Sequence, residues 1–133
     1  MASGFDVYAP FAEKLGVLAG HKRVGDVGLL LDLRDEHMNS WQVAHGGVVM
    51  SVLDIVMGLS AKSLDAASIG ATTVELKTNF IKAATGRITA RGRAHRAGRT
   101  LVFVKGELHN DAQELLAHAT GTFKLRYPRK ESD

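Results

Sequence analysis

The segment from about Gly46 to Leu64 constrains this chain more than any other. Val49, Val52, Leu53, Val56 and Met57 recur at i, i+3, i+4 spacing, the period of an α-helix. Val48, Ile55 and Leu59 make the remaining faces apolar too. A helix apolar on nearly every side has to be wrapped by other elements. In a chain of 133 residues, which is one domain by length, the most economical wrapping is a curved sheet.

The rest of the chain supplies strands. Val27, Leu29, Leu31 and Leu33 alternate with Gly28, Leu30 and Asp32, so a strand is expected within Val24 to Leu33. Four further period-two runs follow the helix. Val74, Leu76, Thr78 and Phe80 oppose Glu75, Lys77 and Asn79. Ile88, Ala90, Gly92 and Ala94 oppose Arg87, Arg91, Arg93 and His95. Val102, Val104 and Leu108 form the third run, and Ala117, Ala119, Gly121, Phe123 and Leu125 the fourth. The breaks at Ala84-Thr85-Gly86, Ala97-Gly98-Arg99 and Asn110-Asp111-Ala112 are short enough for antiparallel connections.

Ahead of the first strand, Pro10 to Leu15 reads as a short helix with proline in its first turn and Phe11 and Leu15 on its buried face. The expected architecture is an α+β domain, one antiparallel sheet curled around one long buried helix. It occupies residues 1–133, with an N-terminal helical segment to residue 20 and a charged tail frayed from Tyr127 onward.

Composition narrows the chemistry. An apolar content of 45% with 23% charged residues excludes wholesale disorder. With no cysteine, disulfides, thiolate–zinc sites and cysteine nucleophiles are excluded together. His21, His37, His45, His95, His109 and His118 show no paired ligand spacing, so no metal is expected. The opening residues lack the basic start and apolar run of a signal peptide. The apolar stretch from Val48 to Ala61 is shorter than the ~20 residues that span a bilayer, so the chain reads as soluble and cytoplasmic. The net charge of +3 is mild, and neither a long basic helix nor a stacking motif marks a nucleic-acid binder.

Three features could carry chemistry. His45-Gly46-Gly47 stands at the start of the long helix, where small residues permit close approach and free N–H groups attract negative charge. The same residues also suit a plain glycine turn entering a helix. Asp54 lies in the middle of the apolar helix, where burial would push its pKa up toward the range of a general base. Its alternative is a buried aspartate bonded to a hydroxyl such as Ser51 or Thr73. The turn from Arg93 to Thr100 clusters guanidiniums beside a hydroxyl, as a phosphate site or as a solvated hairpin.

Spacing adds a condition. Gly46 and Asp54 are eight positions apart, roughly 12 Å along a helix at 1.5 Å per residue, and His45 and Asp54 project from opposite faces. An oxyanion donor and a base acting on one carbonyl both lie about 3 Å from the reacting atoms. If both act, they come from different subunits of a dimer.

Asn39, then His45-Gly46-Gly47, then Asp54 within an apolar helix resembles the hot-dog acyl-CoA thioesterases. The likeness is closest to the phenylacetyl-CoA type within the 4-hydroxybenzoyl-CoA thioesterase superfamily. It continues through Thr72-Thr73-Val74-Glu75-Leu76, Asn79 to Gly86, Gly98-Arg99-Thr100 and Ala117 to Phe123, and so covers about Asn39 to Leu125. The resemblance implies a hot-dog fold, a dimer or dimer of dimers, and active sites at the subunit interface. Gly46 would offer its N–H to the thioester carbonyl, with Asn39 helping to hold it. Asp54 of the other chain would activate a water or attack directly, Thr73 would help place that water, and His45 would lie near the sulfur. Gly47, Phe80, Lys82, Arg96, Arg99 and Thr100 would contact the substrate and its coenzyme A. No separate cofactor is implied, because coenzyme A is part of the substrate.

The expected activity is hydrolysis of an aromatic or medium-chain acyl-CoA to free acid and coenzyme A. A non-catalytic acyl-CoA sensor or carrier on the same fold is the second reading. A 3-hydroxyacyl-thioester dehydratase ranks last, since the chain has neither a histidine before a Phe-Pro segment nor a glutamate on the long helix.

Overall fold

The computed structural model describes residues 9–129. Helix α1 (Pro10–Leu15) leads into β1 (Leu18–Arg23) and β2 (Asp26–Asp32), and a 3-10 turn at Asp35–His37 precedes helix α2 (Gly46–Ser63). Then come β3 (Gly70–Phe80), β4 (Arg87–Arg96), β5 (Leu101–Asn110) and β6 (Leu115–Arg126). The strands form one six-stranded antiparallel sheet in the order β1-β2-β4-β5-β6-β3.

The buried stripe of α2 is Val49, Val52, Leu53, Val56, Met57, Ser60 and Ala61, the spacing expected of a helix lying on a sheet. It packs against β2, β3, β4, β5 and β6. Each large apolar side chain buried there contributes roughly 1.5–3 kcal/mol. Ser60, fully buried, fastens the helix to the sheet by donating from Oγ to the Gly92 carbonyl at 2.9 Å. Opposite the stripe the wrapping is incomplete: Val48, Ile55 and Leu59 are half-buried and Met50 is exposed. By length and composition α2 would pass for a membrane span, but the strands packed on it make it a core helix.

Several expectations are corrected. The N-terminal segment is helical only over Pro10–Leu15, and from Leu18 it is strand β1, an edge strand whose residues are all exposed. Phe11 is exposed, because α1 buries Ala12 and Leu15 instead. The break at Ala84-Thr85-Gly86 does not join a hairpin: β3 pairs with β6, whereas β4 lies between β2 and β5. The tail is held at its first residue, where the Tyr127 hydroxyl donates to Asp65 at 2.7 Å and accepts from Arg96 at 3.0 Å. Residues 130–133 of that tail lie outside the described residues.

Alternation in β4 follows the sequence reading, with Ile88, Ala90, Gly92 and Ala94 buried. In β3 it breaks. The register with β6 shifts between Thr73 and Glu75, leaving Val74 as a bulge. Strict alternation would put Thr73 and Leu76 on opposite faces; with the bulge, Thr73 reaches α2 and Val74 is exposed.

Candidate active site

Residues 38–45 form a tight loop that delivers the chain to α2. Met38 and Ala44 pair across it, and the Asn39 N–H donates to the Val43 carbonyl at 2.8 Å. The Asn39 side chain turns the loop from within, its Oδ1 accepting from the N–H groups of Trp41 (2.9 Å) and Val43 (3.4 Å). Its amide NH2 has no partner among the described residues. Trp41, at the tip, is 83% exposed.

The first turn of a helix has N–H groups without intrahelical acceptors. Here His45 is the N-cap, and its ring Nδ1 accepts from the Gly47 N–H at 2.8 Å, which leaves the proton of the neutral ring on Nε2. Val48 and Val49 donate to the His45 carbonyl. Among the described residues this leaves the Gly46 N–H as the helix-start amide with no acceptor. Phe80, at the end of β3, packs beside Gly46: a methyl built on Gly46 would sit 3.5 Å from the ring. Gly47 is tied to the same N-cap. Its amide is spent on His45, and its lack of a side chain makes room for that ring, 3.0 Å from where a Cβ would be.

Asp54 is half-buried, not sealed in the core. Its Oδ1 accepts from the Thr73 hydroxyl at 2.6 Å. Ser51, the other hydroxyl expected as a partner, donates instead to the Gly47 carbonyl. The bulge at Val74 makes the Asp54–Thr73 bond possible. Sequence reasoning missed Thr78 on the same strand, whose buried hydroxyl has no partner among the described residues. Nothing in a period-two run distinguishes such a hydroxyl.

The expected coenzyme A residues do not assemble within one chain. Phe80 and Lys82 lie at the end of the sheet where α2 begins, while Arg96, Arg99 and Thr100 lie at the other end, about 30 Å away along a ten-residue strand. Lys82 is ion-paired with Glu114. Arg96 is committed to structure: it donates to the carbonyls of Gly98 (3.2 Å) and Arg99 (2.5 Å) and to the Tyr127 hydroxyl, with Asp65 3.6 Å away. The Asp65 carboxyl is held below its ordinary pKa by the Tyr127 hydroxyl, an Ala67 N–H and Arg96. Arg99 is exposed and its guanidinium has no partner among the described residues, and Thr100 uses its carbonyl to accept from the Leu125 N–H at 2.7 Å. Two depressions of about 290 and 190 Å³ open on the sheet face away from α2, and neither includes an expected site residue.

Residues 42–117, from the loop before α2 to the start of β6, match the family model described as the thioesterase superfamily. The chain belongs to the thioesterase superfamily. With it come the hot-dog architecture and thioester hydrolysis, both as expected. The medium/long-chain acyl-CoA thioesterase YigI of Salmonella typhimurium is 27% identical over 137 residues, covering 91% of this chain and 88% of that protein. A thioesterase family protein from Silicibacter pomeroyi superposes with a TM-score of 0.84 at 27% identity, covering 90% of this chain and 91% of its own. The smu.793 protein of Streptococcus mutans, solved bound to acetyl-CoA, has the same fold, with a TM-score of 0.79 at 24% identity over 96% of this chain and 97% of its own.

Proposed function

We propose that the chain is an acyl-CoA thioesterase that works as a homodimer, each site using the Gly46 amide of one protomer and Asp54 of the other. The observation that supports this reading is that Gly46 and Asp54 each contact a different point of one edge strand, β3. Gly46, whose N–H has no acceptor among the described residues, packs beside Phe80, and Asp54 is bonded to Thr73. Thr73 and Phe80 are seven residues apart on β3, roughly 23 Å at 3.3 Å per residue. Strand β3 ends the sheet, so its far side has no partner strand among the described residues. A second copy paired antiparallel about a two-fold axis near Leu76 and Lys77 would set Thr73 beside the copy's Phe80. Each half-site would then meet the half it lacks. The half-buried Val48, Ile55 and Leu59 and the exposed Val74 support the same pairing, being apolar surface left uncovered in one chain.

In this reading the thioester carbonyl oxygen points at the Gly46 N–H, steadied by the Asn39 amide. Asp54, its carboxylate aimed by the Thr73 hydroxyl, takes a proton from water as the water oxygen bonds to the carbonyl carbon. The tetrahedral oxyanion rests on the Gly46 amide, a donor worth about 3–4 kcal/mol in such sites. Collapse breaks the carbon–sulfur bond, and the sulfur leaves with the proton from Asp54 as coenzyme A thiol. His45 presents its Nε2–H on that side. The reaction draws on no metal and no cofactor beyond the coenzyme A of the substrate, and a cytoplasmic setting belongs to the proposal. The acyl-CoA name of the Salmonella relative and the acetyl-CoA held by the Streptococcus protein support this substrate class. An aromatic or medium-chain acyl group is the range to test first.

The test is a panel of acyl-CoA thioesters with a thiol reagent, on the wild type beside Asp54→Asn. Wild-type turnover with a fall in kcat of at least about 100-fold in a folded variant is the expected result. Unchanged turnover in the variant would remove Asp54 from the reaction. Tight acyl-CoA retention without thiol release by the wild type would make the protein a sensor or carrier instead.

A further inference from the structure

His37 takes no part in the reaction proposed above, yet it is among the most buried polar residues of the chain, 3% exposed. Both ring nitrogens are used. Nε2–H donates to the Leu15 carbonyl at 2.8 Å, and Nδ1 accepts from the Arg34 N–H at 2.9 Å. Leu15 ends α1, where carbonyls lack intrahelical partners, so the ring acts as a cap on that helix. Arg34 assists by donating to the neighbouring Lys14 carbonyl at 3.2 Å. The main-chain carbonyl of His37, in turn, accepts from the N–H of His45 at 2.8 Å. His45 is the N-cap of α2, and the next amide is the free N–H of Gly46.

One residue therefore ties the end of α1 to the first amides of α2. Its ring fixes the backbone of residue 37 from two sides, and that backbone fixes the residue before Gly46. We propose that His37 is a positioning residue which, through the His45 N–H, sets the direction of the Gly46 amide. The inference rests on the reading that this amide meets the substrate carbonyl. Aim matters more to an oxyanion than to the ground-state carbonyl, because a donor placed for developing charge acts mainly in the transition state. Loosening residue 37 should therefore slow turnover with little effect on substrate affinity.

Three variants separate the parts. His37→Phe removes both ring bonds, His37→Gln keeps a donor near the Nε2 position, and His37→Asn keeps an acceptor near Nδ1. Two measurements are made on each. The first needs no activity: the backbone amide resonances of His45, Gly46 and Gly47 should move in His37→Phe and move less in the other two, while that of Gly106 in β5 stays in place. The second is steady-state kinetics on an acyl-CoA that the wild type hydrolyses. There kcat should fall about tenfold in His37→Phe and recover in part in His37→Gln, with KM within about twofold throughout.

Unmoved amides at residues 45–47 would overturn the proposal, as would moved amides with unchanged kcat. A loss that falls on KM alone would also overturn it. Should His37→Phe not fold, the Gln and Asn variants carry the same comparison. If the wild type hydrolysed no thioester, the proposed function would fail, and the amide shifts would still decide whether His37 sets the Gly46 amide.

Discussion

Gly46 and Gly92 are both small where another group comes close, and the two approaches differ in kind. At Gly92 an added methyl would meet the Val56 carbonyl oxygen at 2.9 Å and the Met57 Cα at 3.1 Å, both backbone atoms of α2 that cannot turn aside. Gly92→Ala should therefore destabilise the fold by about 1–3 kcal/mol, read as a lower denaturation midpoint. At Gly46 the methyl would touch only the Phe80 ring at ordinary contact distance. Gly46→Ala should thus unfold at the wild-type midpoint, yet turn over acyl-CoA at least about tenfold more slowly, because the methyl crowds the carbonyl's approach to the amide. The Gly46-Gly47 pair was legible as a point of close approach, and Asp54 as an anomaly in its helix. That Gly47 serves the His45 ring was not, since an N-cap formed by an imidazole has no sequence pattern of its own. Nor was the engagement of Arg96, whose partners Asp65 and Tyr127 are 31 residues away on either side.

Strands β1, β2 and β4 are joined on the outer face by Asp26. It accepts from Arg91 at 2.8 and 2.5 Å and lies 2.7 Å from the His21 Nε2. The Arg91 guanidinium above all, with His21, holds the Asp26 carboxyl far below its ordinary value of 3.8. A carboxyl that binds its proton more weakly in the folded chain contributes stability above the ordinary value and loses it as pH falls through the lowered one. Asp26→Asn should cost about 1–2 kcal/mol at neutral pH. That difference should shrink progressively as denaturation is measured at pH values below 3.8. A cost independent of pH would mean that the pair does not supply it. At this scale α2 and five of the six strands were legible as periodic runs, β3 alone of them without burying one regular face. β1 was not: Leu-Ala-Gly-His-Lys-Arg buries nothing, and its charged end suits an edge that repels further strands. The bulge at Val74 was not legible either, since Val74, Leu76, Thr78 and Phe80 alternate without a break in the sequence and the shift of phase falls just before them, between Thr73 and Glu75.

For the whole molecule, the decisive claim is that sites are shared. Two variants each slowed by themselves, Asp54→Asn and Gly46→Ala, should complement when unfolded together and refolded, above the sum of their residual activities. Random pairing makes half the dimers mixed, and each mixed dimer holds one intact site, so about a quarter of wild-type activity should return. Simple addition of the two residual activities would place both groups in one chain and end the shared-site reading. The proposal of two chains follows from the eight positions between Gly46 and Asp54, a matter of helical geometry. Which edge would join them was not legible, because it depends on β3 pairing with β6 across the sheet.

The sequence contains one tryptophan, and the fold presents it to water at the tip of the loop that leads into Gly46. Its fluorescence thus speaks for a single address in the protein. Any change of colour or brightness on adding coenzyme A, or on diluting the protein, arises at that loop and needs no label to be seen.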